Sequence, residues 1–221
     1  MPSPSPLICL VLAHLAAAGP AHAQTRPARF QAAFFAGTAW SLPTRLVIRQ
    51  RGEPDIRLRA RYATRPWRDA PYYAYRLGYA ANGRDALEAE LVHHKLYLTN
   101  LPPEVRQFEV THGYNLATLN YARRTNDWSL RVGVGLTVAH AENVVRGRRN
   151  DPGRTFLGGG YHIAGPTMQL AAGYGVGLAR RLWLLPEVKL TASTARVPVA
   201  DGSATVPNVA LHALLGLGAG L

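Results

Sequence analysis

Residues 24–221 contain six histidines: His93, His94, His112, His140, His162 and His212. Three of them, with one carboxylate, form the most suggestive set: His94, His112, His140 and Glu142. Histidine titrates near neutral pH and its neutral ring is the commonest metal ligand. Beside a carboxylate, such a group has the makings of a divalent-metal site or a general base. No interval among these four is a diagnostic ligand spacing, so the chemistry depends on strands bringing them to one mouth. His94, His112, His140 and Glu142 are therefore the candidate catalytic residues, with the metal unassigned. No cofactor is expected beyond such a divalent ion.

A second set is arginine. Arg146, Arg148, Arg149 and Arg154 fall in the longest irregular stretch, 141–165, and guanidinium matches phosphate in a bidentate manner. This is a candidate anion-binding loop. Gly158-Gly159-Gly160 is not a phosphate loop, since neither a helix nor a Lys-Ser/Thr pair follows it. No G-x-S-x-G is present, and no Ser-His pair at telling spacing.

The elements that must position these residues are strands. In 126–143, NDWSLRVGVGLTVAHAEN, one row reads Trp128, Leu130, Val132, Val134, Leu136, Val138. The other reads Ser129, Arg131, Gly133, Gly135, Thr137, Ala139. Successive strand side chains point to opposite faces, so one face is continuously apolar. Its length suits a membrane-crossing strand of about 9–11 residues. The same alternation recurs at 72–80, 85–98, 106–122, 167–178, 183–196 and 207–221. Over 106–122 it sets Phe108, Val110, Tyr114 and Leu116 outward. Around Val92 to Lys95 the phase becomes unclear, and a bulge is plausible there; without one, His112 falls on the lipid-facing row.

Short connections alternate with long ones, as in a barrel with tight turns on one side and loops on the other. The fold expected is all-β: a closed antiparallel up-and-down transmembrane β-barrel with a charged lumen. It has eight strands if 54–62 is the first, with 54–221 the barrel core. It has ten if 30–40 and 44–50, in the N-terminal segment 24–50, also pair in. The inward rows carry Arg57, Arg59, Arg61, Arg76, Glu88, Glu90, Glu109, Arg131, Glu187, Lys189 and His212. Buried charges must be paired or hydrated, and a narrow barrel is filled by its own side chains. These residues form the expected lumen charge network.

Residues 1–23 combine an apolar run, Leu7 to Ala18, with the small-x-small site Ala21-His22-Ala23, and read as a cleaved export signal. Residues 24–221 then form a single domain without cysteine, since Cys9 is the only one. The chain has 25 Lys plus Arg against 13 Asp plus Glu, a net charge of +12. None of that charge lies in 1–23. An exported chain rarely meets nucleic acid, so the partners expected are outer-membrane lipid, lipopolysaccharide phosphates and the outer-membrane assembly machinery, with the barrel a monomer.

In the Ala21-His22-Ala23 site, the alternating strands from 54 to 221 and the alternating loop lengths, the chain resembles the small bacterial outer-membrane β-barrel proteins. The resemblance implies location in the outer membrane. Several members of that class modify lipid A, but the His-Ser pair of its deacylases is not found here. Three functions follow as alternatives. The first is a structural or surface-interaction barrel whose basic loops contact lipopolysaccharide or other anions. The others are a lipid A-modifying enzyme using the His/Glu rim, and a narrow pore.

Overall fold

The computed structural model describes residues 29–68, 71–150 and 157–221. The expected signal segment 1–23 and Arg154 lie outside the described residues. The described residues form β1 (Phe30–Ser41), β2 (Thr44–Gln50), β3 (Ile56–Ala60), β4 (Tyr62–Ala63), β5 (Tyr73–Ala80), β6 (Asp85–Leu98) and β7 (Val105–Thr125). They continue through β8 (Trp128–Ala139), β9 (Glu142–Val145), β10 (Arg148–Arg149), β11 (His162–Tyr174), β12 (Val176–Ala179), β13 (Leu182–Val199) and β14 (Gly202–Gly220).

Eight of these strands close a ring in chain order: β1, β5, β6, β7, β8, β11, β13, β14 and back to β1. Every pairing in it is antiparallel. At the rim where β1 begins and β14 ends, the turns at 81–84, 126–127 and 180–181 are tight. The far rim carries long insertions, and there β13 and β14 run on as a two-stranded arm.

The lipid-facing wall follows the alternating rows. Leu77, Leu87, Leu119, Leu130, Val134, Met168, Leu170, Val188, Leu190, Leu215 and Leu217 are exposed on the outside, while Arg131, Gln169, Glu187 and Lys189 alternate with them inside. Exposed apolar rows around a ring with charged residues within are the pattern of a barrel in lipid.

Toward the far rim this pattern inverts, on β13 without any change of strand phase. On β13 the inward column runs Glu187, Lys189, Thr191, Ser193, Ala195, Val197, Val199. It is polar at the bottom and aliphatic at the top, while Arg196 faces out. Leu46, Ile48, Ile56, Leu96, Phe108, Val110, Val145, Val197 and Val206 close a hydrophobic core in this upper part. Once a strand leaves lipid for water, the hydrophobic effect favours apolar side chains inside and charges outside. The result is a barrel carrying a head built like a soluble sheet protein.

Several expectations are corrected by this head. The eighth barrel strand is β1, not 54–62. β3 has five residues, too few to cross a membrane at roughly 9–11, and it pairs with β2 in a hairpin that adds to the β14 arm. Arg57, Arg59 and Arg61 are consequently exposed rather than in the lumen. The stretch 197–205 is not a loop: β13 and β14 stay paired to Val199↔Gly202. On β7, Phe108, Val110, Tyr114 and Leu116 point inward, because the upper interior is apolar. Glu109 therefore leaves the lumen set; it is half-buried, opposite Glu142.

Candidate functional site

Three arrangements of polar side chains stand out, stacked from the lumen to the head. The lowest is a closed ion-pair network. Arg76 from β5 reaches Glu90 and both oxygens of Glu187, the latter at 2.6 and 2.8 Å. Arg131 from β8 bonds Glu88 at 2.7 Å and Glu187 at 3.1 Å. Lys189 bonds Glu90, and Gln169 links Glu90 to Asn120 at 3.0 and 2.7 Å. Three cations meet three carboxylates, all buried. Buried ions are tolerated when each is paired and hydrogen-bonded, and here they are. Gly173 makes room: a Cβ there would sit 3.3 Å from both Arg131 Nη1 and Glu187 Oε2.

Above this network His212 is held on both ring nitrogens, by the Tyr72 hydroxyl at 2.6 Å and by Thr191 at 2.8 Å. His94 is fully buried here. Its ring packs 5.1 Å from His212 and 6.1 Å from Tyr114. The structure thus separates His94 from the other candidate catalytic residues.

Those three do converge, on the outside of the far rim. His112 Nδ1 lies 2.8 Å from Glu142 Oε1, and His140 Nε2 lies 3.9 Å from the same oxygen. The ligand atoms of all three fall within 4.8 Å of one another. A bulge delivers His112. Between His94↔Tyr114 and Leu96↔Val110 the β6–β7 register shifts, and Gly113 takes φ 140°, a value that favours glycine. The His140 backbone N–H donates to the Gly113 carbonyl, and the Tyr161 hydroxyl donates to the His112 carbonyl at 2.6 Å.

The third arrangement is an arginine face on the head. β3, β2, β14 and β13 lie side by side. Arg57, Val47, Thr205 and Arg196 form one transverse row across them. Arg45 stands directly opposite Arg59. Arg49 shares this outward face, which is solvent-exposed opposite the apolar Leu46, Ile48 and Ile56. Asp55 pairs with Arg57 at 2.8 Å and Arg49 at 3.4 Å. These guanidinium groups, the hydrogen bond from Arg57 foremost, hold its carboxyl below the usual range. Among the described residues, neither Arg45 nor Arg59 has an ion-pair partner. Trp40 and Leu42, both exposed, come just before β2 in the chain.

The loop arginines serve otherwise. Arg146 bonds Gln50 and the Pro54 carbonyl at 2.9 and 2.8 Å, and lies 3.7 Å from Glu53. Arg148 bonds Glu53 at 2.6 Å and Asp201 at 2.9 Å. They fasten the β9–β10 hairpin to the head, and their charge is largely matched. Arg149 is exposed on β10. Sequence reasoning missed Arg45, Arg49 and Arg196 as part of one exposed arginine face. The signal was there in the alternation of Arg45, Val47 and Arg49 with Leu46 and Ile48.

No family model matches the sequence, and no curated protein matches it. Among solved structures, the chain is similar to Ail, the attachment invasion locus protein of Yersinia pestis. The identity is 11% and the TM-score 0.38, over 87% of this chain and 99% of that one. It is similar to Neisserial surface protein A at 9% identity and TM-score 0.42, over 89% and 100% of the two chains. It is similar to OprG from Pseudomonas aeruginosa at 11% identity and TM-score 0.45, over 88% and 98%. At such identities the likeness concerns the fold alone. The closed ring, the apolar exterior and the charged interior are the build of a small outer-membrane β-barrel, and the bacterial outer membrane is its location.

Proposed function

We propose that this barrel is a surface-interaction protein whose arginine face binds the phosphate groups of lipopolysaccharide. The observation that carries the reading is the Arg45–Arg59 opposition. Like charges directly across a strand pair disfavour each other, and this pair sits in a face that also holds Arg49, Arg57 and Arg196, with Asp55 the one carboxylate paired there among the described residues. A phosphate between two guanidinium groups turns that repulsion into paired hydrogen bonds. The face begins a few residues beyond exposed Trp40 and Leu42, at the level where lipid A phosphates would lie against the wall.

The pore reading is opposed by the closed ion-pair network across the lumen. The lipid A-modifying reading retains His112, His140 and Glu142 at the rim but loses His94 to the interior.

The test uses the full barrel in detergent micelles, with retained lipopolysaccharide quantified after purification. Arg45→Gln/Arg59→Gln/Arg196→Gln should retain several-fold less than the wild type, and binding should weaken as salt rises. Dephosphorylated lipopolysaccharide should bind the wild type as poorly as the native form binds the variant. Equal retention by variant and wild type would overturn the reading. Loss of heparin binding with lipopolysaccharide retention unchanged would instead assign the face to a soluble polyanion.

A further inference from the structure

We infer that His112, His140 and Glu142 bind one divalent transition-metal ion, with Zn²⁺ the best chemical match, on the outer rim of the barrel. The donor set is two imidazoles and a carboxylate, the ligand types of three-residue zinc sites that keep a fourth position for water. Metal–ligand distances of about 2.0–2.1 Å at tetrahedral angles put donor atoms roughly 3.3 Å apart. The pairs seen here, 2.8 and 3.9 Å, bracket that value. The ion needs only small side-chain rotations, since the two imidazole rings already lie 5.2 Å apart.

One further feature favours a cation. Glu109 and Glu142 are directly opposed across the β7–β9 ladder, so two carboxylates occupy a cross-strand position that disfavours like charge unless a cation lies nearby. The backbone is firm where the ligands are set. Gly113 fixes the bulge, the His140 N–H is tied to the Gly113 carbonyl, and the Tyr161 hydroxyl clamps the His112 carbonyl. Preset ligands on a rigid ladder lose little freedom on binding an ion.

The site, on β7–β9, shares no residue with the arginine face on β3, β2, β14 and β13. It therefore stands or falls independently of lipopolysaccharide binding.

The experiment uses untagged full-length barrel in detergent micelles, stripped with chelator and titrated with Zn²⁺ by calorimetry. A parallel Co²⁺ titration is followed by visible absorption. One equivalent should bind, with Co²⁺ giving the intense bands of low coordination number. His112→Ala and His140→Ala should each abolish stoichiometric binding. Glu142→Gln should weaken it at least tenfold, and His162→Gln should leave it unchanged. Heat-modifiable gel mobility reports that each variant is folded. Absence of Zn²⁺ binding by the folded wild type, or equal binding by folded His112→Ala and His140→Ala, would overturn the assignment.

Discussion

Arg45 and Arg59 occupy directly opposed positions on the exposed face of the β2–β3 hairpin. Opposed like charges are destabilising, and more so at low salt. Arg59→Gln should therefore raise the unfolding midpoint slightly in low-salt buffer without a bound anion. At 1 M salt, where the screening length is about 3 Å, the gain should vanish. A stability unchanged at low salt would mean the two guanidinium groups do not sense each other.

Glu187 accepts hydrogen bonds from both Arg76 and Arg131. Glu187→Gln leaves two buried guanidinium groups under-compensated, and breaking a buried pair typically costs about 3–5 kcal/mol. Urea unfolding from liposomes should show a loss of that order. Removing Lys189 and Glu90 together, as Lys189→Met/Glu90→Gln, should cost less than the sum of the single substitutions, because neither charge is then stranded. The wild type should be silent in planar bilayers, and a steady conductance would show that the network opens.

Gly216 on β14 lies against the Phe35 ring, and a Cβ there would collide with the ring carbons. Gly216→Ala should destabilise the barrel by about 1–3 kcal/mol, the usual cost of overpacking. Gly177→Ala, where a Cβ meets nothing within 4 Å, is the neutral comparison. Unfolding midpoints of the two variants in one detergent check this.

Arg148 bridges Glu53 and Asp201, joining the β9–β10 hairpin to the tips of two other hairpins. The group is partly exposed, so its global contribution is small, but local opening is governed by such fastenings. Arg148→Ala should leave the unfolding midpoint nearly unchanged while speeding proteolysis within 141–161 several-fold. An unchanged cleavage rate would assign the fastening to Arg146 alone.

The lower barrel was legible from sequence because lipid enforces strict alternation there. Leu130, Val132 and Val134 must face hydrocarbon, and Arg131 must then face in. The same rule misplaces Arg57, Arg59, Arg61 and Glu109, since alternation reports two faces without saying which solvent each meets. Where β13 passes from Lys189 to Val197 the rule inverts, and nothing in the local pattern marks the height at which lipid ends. The gathering of His112, His140 and Glu142 was legible as adjacent strands meeting at one rim, with His112 mid-strand. The surface placement of His112 was not, since it depends on the register shift opposite Lys95 and the bulge at Gly113. His94 keeps the inward row of Glu88, Glu90 and Val92 on β6, which separates it from the other three.

The head draws β2 and β3 from one end of the chain, β9 from its middle and the tips of β13 and β14 from the other, around a shared aliphatic interior. An antibody raised against an isolated peptide from any one of these pieces would therefore bind the folded head poorly. Sera raised against the intact, folded barrel should recognise it.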